Sequence, residues 1–457
     1  MFLLCVLLSF RPAAALTIGE EREIGQKLLY KIRSQFRLMD DPDIAQYINS
    51  LGGKVLKQAG PQYFDYHFFV VASDDFNAFA APSGLIFFYS GLIETMKSED
   101  ELLSVMAHEI GHVVSRHISS RVSKGGKVGA ISMALALASL ALGDPSLSTG
   151  LFTGFQAAGQ AAELHFSRLD EEEADRLSYD WLKAMDRDPQ AMEGMLSTMR
   201  RITRYRSGQI PQYLLTHPNP EARLQYVQSL LDYEREKSSG KTYREPDNFE
   251  FLRVKYRIMT TDEEPQKTRS YLANTMASGQ SPEERAMAAY GLALLDAREL
   301  DFSGALNRLA EVEKHYPGRN FVDIDRGVFH LDSGDFDRGT EILAEAFRKS
   351  PDNMYAAFHL ARGYQKTGRA DAAEELYARV QRELPEYSQV YFELGKIKAG
   401  RGRTGESDYY LGKYHMYEGK MDLAREYFLK SIRDRSVPDA MQQDAREMLA
   451  LIEELEK

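Results

Sequence analysis

His108-Glu109-Ile110-Gly111-His112 is the stretch on which the reading of this chain turns. An α-helix advances about 100° per residue, so positions 108 and 112 lie about 40° apart on one face, one turn from each other. Two imidazoles so placed reach one metal ion. Neutral His nitrogens suit Zn2+, and Glu109 projects beside them, where it can take a proton from a water on the metal. Such a pattern also arises by chance, and its surroundings decide. Ser98-Glu99-Asp100-Glu101 supplies a cap and an acidic first turn, and Leu102, Leu103, Val105, Met106, Ile110, Val113 and Val114 make the helix mostly apolar. A buried helix with two His and a Glu leaves costly polar groups in a core unless something binds them. Zinc would bind them.

With 457 residues, the chain is too long for one ordinary core, and two or three domains are expected. The composition, 43% hydrophobic and 27% charged, is that of a globular protein. A net charge of -11 argues against nucleic acid as a partner. Residues 1–10 form a short apolar run, and Pro12-Ala13-Ala14-Ala15 offers the small residues that a signal peptidase prefers. A signal peptide over residues 1–15, and hence export, is expected, although no Lys or Arg precedes the run. Cys5, the single cysteine, falls inside it. The mature chain then has no thiol, which excludes disulfides and Cys-ligated zinc and leaves His and carboxylate ligands.

Apolar spacing predicts helices over residues 18–37 and 41–58, then strands over 66–71 and 84–89. An ordinary hairpin is the plain reading of the strands. The functional one has the second strand beside the metal, offering its edge to an extended peptide. Beyond the HExxH helix, residues 128–142 are almost wholly Ala, Leu, Ile, Met, Val and Ser, too short for a bilayer. They read as a buried or groove-covering helical excursion, with peripheral contact to a lipid surface or an apolar substrate as the alternative. Gly150, Gly154 and Gly159 after it would suit a lid.

A third protein ligand is still needed. Ser167-Arg168-Leu169-Asp170-Glu171-Glu172-Glu173-Ala174-Asp175 reads either as a solvated helix start or as its source. Glu171 and Asp175 share a face, so Glu171 could bind metal while Asp175 orients an imidazole; Glu172 competes. The rival arrangement, a third His six residues after His112 with a Gly between, meets Ser115 and Ile118 instead. His117 lies about 180° round the helix from His108 and reads as a non-ligand. His217, in His217-Pro218-Asn219-Pro220-Glu221-Ala222-Arg223, would alone be read as a surface residue.

Taken together, Asn77-Ala78-Phe79-Ala80, the HExxH, Ser167-Arg168 with Glu171-Glu172-Glu173-Ala174-Asp175, and Thr216-His217-Pro218 resemble, in that order, the gluzincin metallopeptidases related to the CAAX prenyl proteases and HtpX. The resemblance is strongest to the soluble BepA-type periplasmic branch and spans about residues 17–230. It implies His108, His112 and Glu171 as ligands of one Zn2+, Glu109 as general base and Asp175 as orienter. It also implies that His217 reaches the site, either as an inhibitory ligand or to steady the oxyanion. Protein or peptide substrates, misassembled outer-membrane or envelope proteins among them, a periplasmic location, and outer-membrane assembly machinery as a partner come with it.

The second half is a repeat. Ala293, Gly327, Ala361 and Gly395 recur every 34 residues, and Gly334, Gly368 and Gly402, and Pro317, Pro351 and Pro385, keep that step. This is the tetratricopeptide signature, whose stacks form a concave groove that binds peptides or partner proteins. Leu411-Gly412, Gly419, Ala424 and Phe428 then follow half a repeat on, only 17 residues after Gly395 and Gly402. The expected fold is mostly α: a gluzincin-like α+β metallopeptidase domain with a small sheet over residues 16–235, a linker over 236–247, an all-α repeat solenoid over 248–433 and a closing helix over 434–457. The linker is either a flexible tether or a fold-back. The function expected is that of a secreted zinc endopeptidase whose repeats recruit clients; the alternative is a chaperone or assembly scaffold with a closed or inactive site.

Overall fold

The computed structural model describes residues 16–122, 166–205, 212–237, 242–243, 247–261, 264–279 and 281–455. The expected signal peptide, the apolar run at 128–142 and the glycines at 150, 154 and 159 lie outside them.

Helix α1 (Ile18–Gln35) starts on a reciprocal cap, Glu20 N–H donating to Thr17 Oγ1 at 3.2 Å and Thr17 N–H to Glu20 Oε2 at 3.0 Å. Helix α2 (Pro42–Ala59) has Asp41 as its cap and proline in its first turn, and it buries Ile44, Ile48, Leu51 and Val55. Next come β1 (His67–Val71), β2 (Ala78–Ala81) and β3 (Leu85–Tyr89) in the spatial order β1-β3-β2. Strand β3 runs parallel to β1 and antiparallel to β2, with Phe87 opposite both Phe69 and Phe79 and stacked between them at 5.1 and 4.9 Å. This corrects both strand readings. The 84–89 segment is no hairpin partner of β1 and offers no edge; it is the central strand, wholly buried, and β2 holds the edge position instead.

Behind the sheet, α3 (Ser90–Thr95) leads to α4 (Glu99–Val114), which is buried from Glu99 to Val113 and capped by Ser98. Short α5 (His117–Val122) follows, then α6 (Arg168–Ala184), α7 (Gln190–Tyr205), α8 (Gln212–Thr216) and α9 (Pro220–Lys237). Helix α4 is the hub of this half, packed on α2, α6, α7 and β2. At its crossing with α6, a Cβ on Gly111 would stand 3.3 Å from Ala174 Cα. A glycine there lets the helix bearing both histidines approach the one bearing Glu171.

The second half is all helix: α10 (Phe249–Met259), α11 (Pro265–Ser278), α12 (Pro282–Arg298), α13 (Phe302–His315), α14 (Asn320–Asp332), α15 (Phe336–Lys349), α16 (Met354–Lys366), α17 (Ala370–Glu383), α18 (Ser388–Gly400), α19 (Thr404–Tyr417), α20 (Met421–Arg433) and α21 (Asp439–Leu455). The turns within the pairs place Gly334, Gly368, Gly402 and Gly419 at φ 93°, 81°, 72° and 73°, in the left-handed region that glycine adopts without cost. Leu300 takes the same position one repeat earlier, at φ 68° and 75% exposed. The array folds back on the first half. Arg33 of α1 donates to Tyr417 O at 2.7 Å and pairs with Glu386 at 2.6 Å, Gln46 of α2 accepts from Met354 N–H at 2.8 Å, and Arg253 pairs with Asp43. Among the described residues, no helix is long and apolar enough to cross a membrane.

Candidate metal centre

His108 and His112 extend from α4 toward α6, and their Nε2 atoms stand 3.0 Å apart. Glu171, in the first turn of α6, meets them at 3.5 Å from His108 Nε2 and 3.4 Å from His112 Nε2. His217, just past α8, completes the group, its Nδ1 3.0 Å from Glu171 Oε1 and 3.4 Å from His108 Nε2. All four are buried, and one candidate ligand atom from each lies within 4.8 Å of the others. His217 is therefore not the surface residue that its polar, proline-framed loop suggested. Glu172 pairs outward with Arg168 at 2.8 Å and stays out of the group.

Around the four sits a ring of positioning contacts. Asp175 Oδ1 lies 2.9 Å from His108 Nδ1, so the imidazole presents Nε2 to the centre. Arg223 of α9 donates through Nε and Nη2 to the two Asp175 oxygens at 2.9 and 2.7 Å, and its Nη1 lies 3.0 Å from Glu171 Oε2. Phe166 stacks on His112 with ring centroids 3.8 Å apart, and Tyr213 on His217 at 4.3 Å. Behind His112 stands His117, Nδ1 to Nδ1 at 3.0 Å. It is absent from the group of four, but the geometry differs from a continued helix: α4 stops at Val114, and Arg116 turns the backbone through φ 55°.

The electrostatics of this shell follow from burial set against close charge. Burial and the Arg223 guanidinium oppose a proton on His108, yet Asp175 and Glu171 outweigh them and push it up to about 9. Burial instead drives His112 well below its usual value. For Glu171, burial alone would raise the carboxyl, but His217 and Arg223 hold it well below the ordinary range; for Asp175, too, Arg223 and His108 outweigh burial and lower the carboxyl.

The donor set fits a divalent ion. Both oxygens of Glu109, Glu171 Oε2 and His217 Nε2 are buried without a hydrogen-bond partner, an expensive arrangement for a closed core. With the histidines neutral, as ligation requires, ionised Glu109, Glu171 and Asp175 against Arg223 leave two negative charges, which a divalent cation balances. Imidazole nitrogens with a carboxylate oxygen suit zinc among such ions. Three features lay beyond the sequence reading: Arg223, Phe166 and Tyr213. Arg223 stood in the quoted loop, six residues after His217, but an arginine there signals surface until its carboxylate partners are seen.

A small sheet backed by an HExxH helix, with a carboxylate from a second helix beside both imidazoles, defines a metallopeptidase. The chain matches peptidase family M48 over residues 42–231 and the tetratricopeptide repeat over residues 330–395. It is 30% identical over 366 residues to the beta-barrel assembly-enhancing protease of Yersinia pestis, covering 79% of this chain and 73% of that one. To the protein of the same name from Escherichia coli (strain K12) it is 29% identical over 375 residues, covering 80% and 74%. The mitochondrial metalloendopeptidase OMA1 of Schizosaccharomyces pombe is 27% identical over 185 residues, 40% of this chain and 52% of that one. The chain belongs to peptidase family M48, as a metalloprotease with C-terminal tetratricopeptide repeats.

Proposed function

We propose that this metalloprotease is a zinc endopeptidase of the cell envelope that hydrolyses misassembled outer-membrane proteins, its repeats recruiting them. The observation that carries the reading is the convergence of His108, His112, Glu171 and His217 in one buried group. His108, His112 and Glu171 would hold the ion. When bound, the ion supplies Lewis acidity, polarising the scissile carbonyl and making water easier to deprotonate. Glu109, whose oxygens accept no hydrogen bond, takes the proton from the attacking water and returns it to the leaving amine. Asp175 and Arg223 keep His108 oriented. The edge strand β2, packed on α4, suits an extended peptide held by main-chain bonds. The names of the Yersinia and Escherichia relatives support an envelope role and an outer-membrane assembly machinery as partner. A leader over residues 1–15 and the division at 235 and 248 belong to the same proposal. Replacing Glu109 with Gln tests it: zinc content and fold persist while casein digestion is lost.

A second reading, a chaperone or assembly scaffold with a closed site, is favoured by one observation. His217 lies fully buried where a fourth ligand would sit, its Nε2 3.5 Å from Glu109 Oε1. If it acts as a latch, His217→Ala raises proteolysis. If it steadies the oxyanion, the same change lowers proteolysis with zinc retained. Under the scaffold reading, Glu109→Gln leaves client handling intact.

A further inference from the structure

His117 has no part in the reaction just described, yet it is 7% exposed and sits directly behind His112. The reversal at Arg116 brings it there. His112 turns Nε2 toward His108 and Glu171, at 3.0 and 3.4 Å. A neutral imidazole carries one proton, so a ring that ligates through Nε2 holds that proton on Nδ1. His117 Nδ1, at 3.0 Å, is positioned to accept it. That choice leaves the proton of His117 on its own Nε2, and there Glu173 Oε2 lies at 3.3 Å, with Asp170 Oδ1 at 3.8 Å. Ser115 Oγ donates to the other oxygen of Glu173 at 2.9 Å. Each proton in this line has one consistent place, and the line runs from a buried ligand to a carboxylate whose side chain is 58% exposed. The two histidines of the HExxH are thus backed differently: His108 by the buried Asp175, His112 by an imidazole that a surface carboxylate orients.

We infer that His117 is a positioning residue of the metal centre, which fixes the Nε2-ligating tautomer of His112 and ties it through Glu173 to the surface of α6. The inference rests on the reading of His112 as a ligand. The experiment measures Zn2+ affinity by competition with a chromophoric chelator, together with the proton position on His112 by long-range 1H–15N NMR of the zinc-loaded protein. His117→Ala is expected to weaken Zn2+ binding about tenfold or more and to lose the single Nδ1–H tautomer. His117→Asn, whose amide oxygen accepts the same hydrogen bond, should restore most of the affinity, a rescue that a space-filling role would not produce. Glu173→Gln should cause a smaller loss. Wild-type affinity in His117→Ala with His112 still protonated at Nδ1 overturns the inference alone. If His117→Ala does not fold, Glu173→Gln decides, and wild-type affinity there overturns it. Failure of the wild type to bind Zn2+, or unchanged binding in His112→Ala, overturns the ligand reading and this inference with it.

Discussion

The fold buries two ionic clusters, one at the N-terminus of α2 and one between α4 and α6, and they differ in how completely they satisfy themselves. At the junction of the two halves, Arg253 pairs with Asp43 through two nitrogens and with Glu250 at 2.8 Å. Arg257 beside it reaches Asp41 and Asp325, and Tyr290 and Tyr355 donate to Asp325 at 2.8 and 2.9 Å. Burial alone would raise Asp43, but Arg253 and Arg257 hold its carboxyl below the usual value. None of these side chains keeps a buried polar atom without a partner. The metal centre does the opposite: both oxygens of Glu109 and one of Glu171 are buried without a hydrogen bond, with only ion-pair neighbours, His217 Nε2 at 3.5 Å from Glu109 and Arg223 Nη1 at 3.0 Å from Glu171. A network that closes on itself holds two pieces of chain together; one left open awaits a ligand.

That contrast breaks if the two clusters respond alike to the loss of a charge. The largest effect is expected at Glu109. Substituting Gln should cut kcat in casein digestion by roughly 10²–10⁴-fold, the usual worth of a general base. The melting temperature should hold or rise, because a buried carboxylate without a partner is removed. At the junction, Arg253→Met should cost up to about 3–5 kcal/mol in urea unfolding, since Asp43 keeps only Arg257, at 3.3 Å, as a cationic partner, and leave Zn2+ affinity unchanged. Acid sharpens the same point by a smaller margin. With its folded value depressed, Asp43 contributes stability that is present above its unfolded value of about 3.9 and lost as pH falls through the folded one. Unfolding measured from pH 5 downward should therefore steepen below about pH 4 in the wild type and flatten in Asp43→Asn. Smallest is Leu300→Gly: relieving a left-handed leucine should raise stability by about 1 kcal/mol, with activity untouched.

What could be read from the chain beforehand was whatever is encoded by spacing. The two histidines one turn apart, the Ser98 cap and the 34-residue step are local regularities, and helices report them faithfully. Pairings across the fold were hidden. Residues 66–71 and 84–89 gave no sign that they run parallel, because β2 forms the far edge and the connection depends on the whole sheet. Spacing left Glu171 and Glu172 open; the α4–α6 crossing at Gly111 and Ala174 turns the first inward. Residue by residue, without the family resemblance that pointed to His217, neither His217 nor Arg223 could be placed in the site, for a plainer reason. Polar residues around prolines normally face water, and only their carboxylate partners, Glu171 for both and Asp175 for Arg223, show why these are buried. For His117, the helix geometry was right and the premise of a continuous helix was wrong.

The proposed hydrolysis requires one ion held by His108, His112 and Glu171. An anomalous difference map at the zinc edge, from crystals of the zinc-loaded protein, tests it most directly. The expected result is one peak per chain about 2.0–2.2 Å from His108 Nε2, His112 Nε2 and an oxygen of Glu171. A peak bound elsewhere, or none beside these three residues in zinc-loaded crystals, would contradict it.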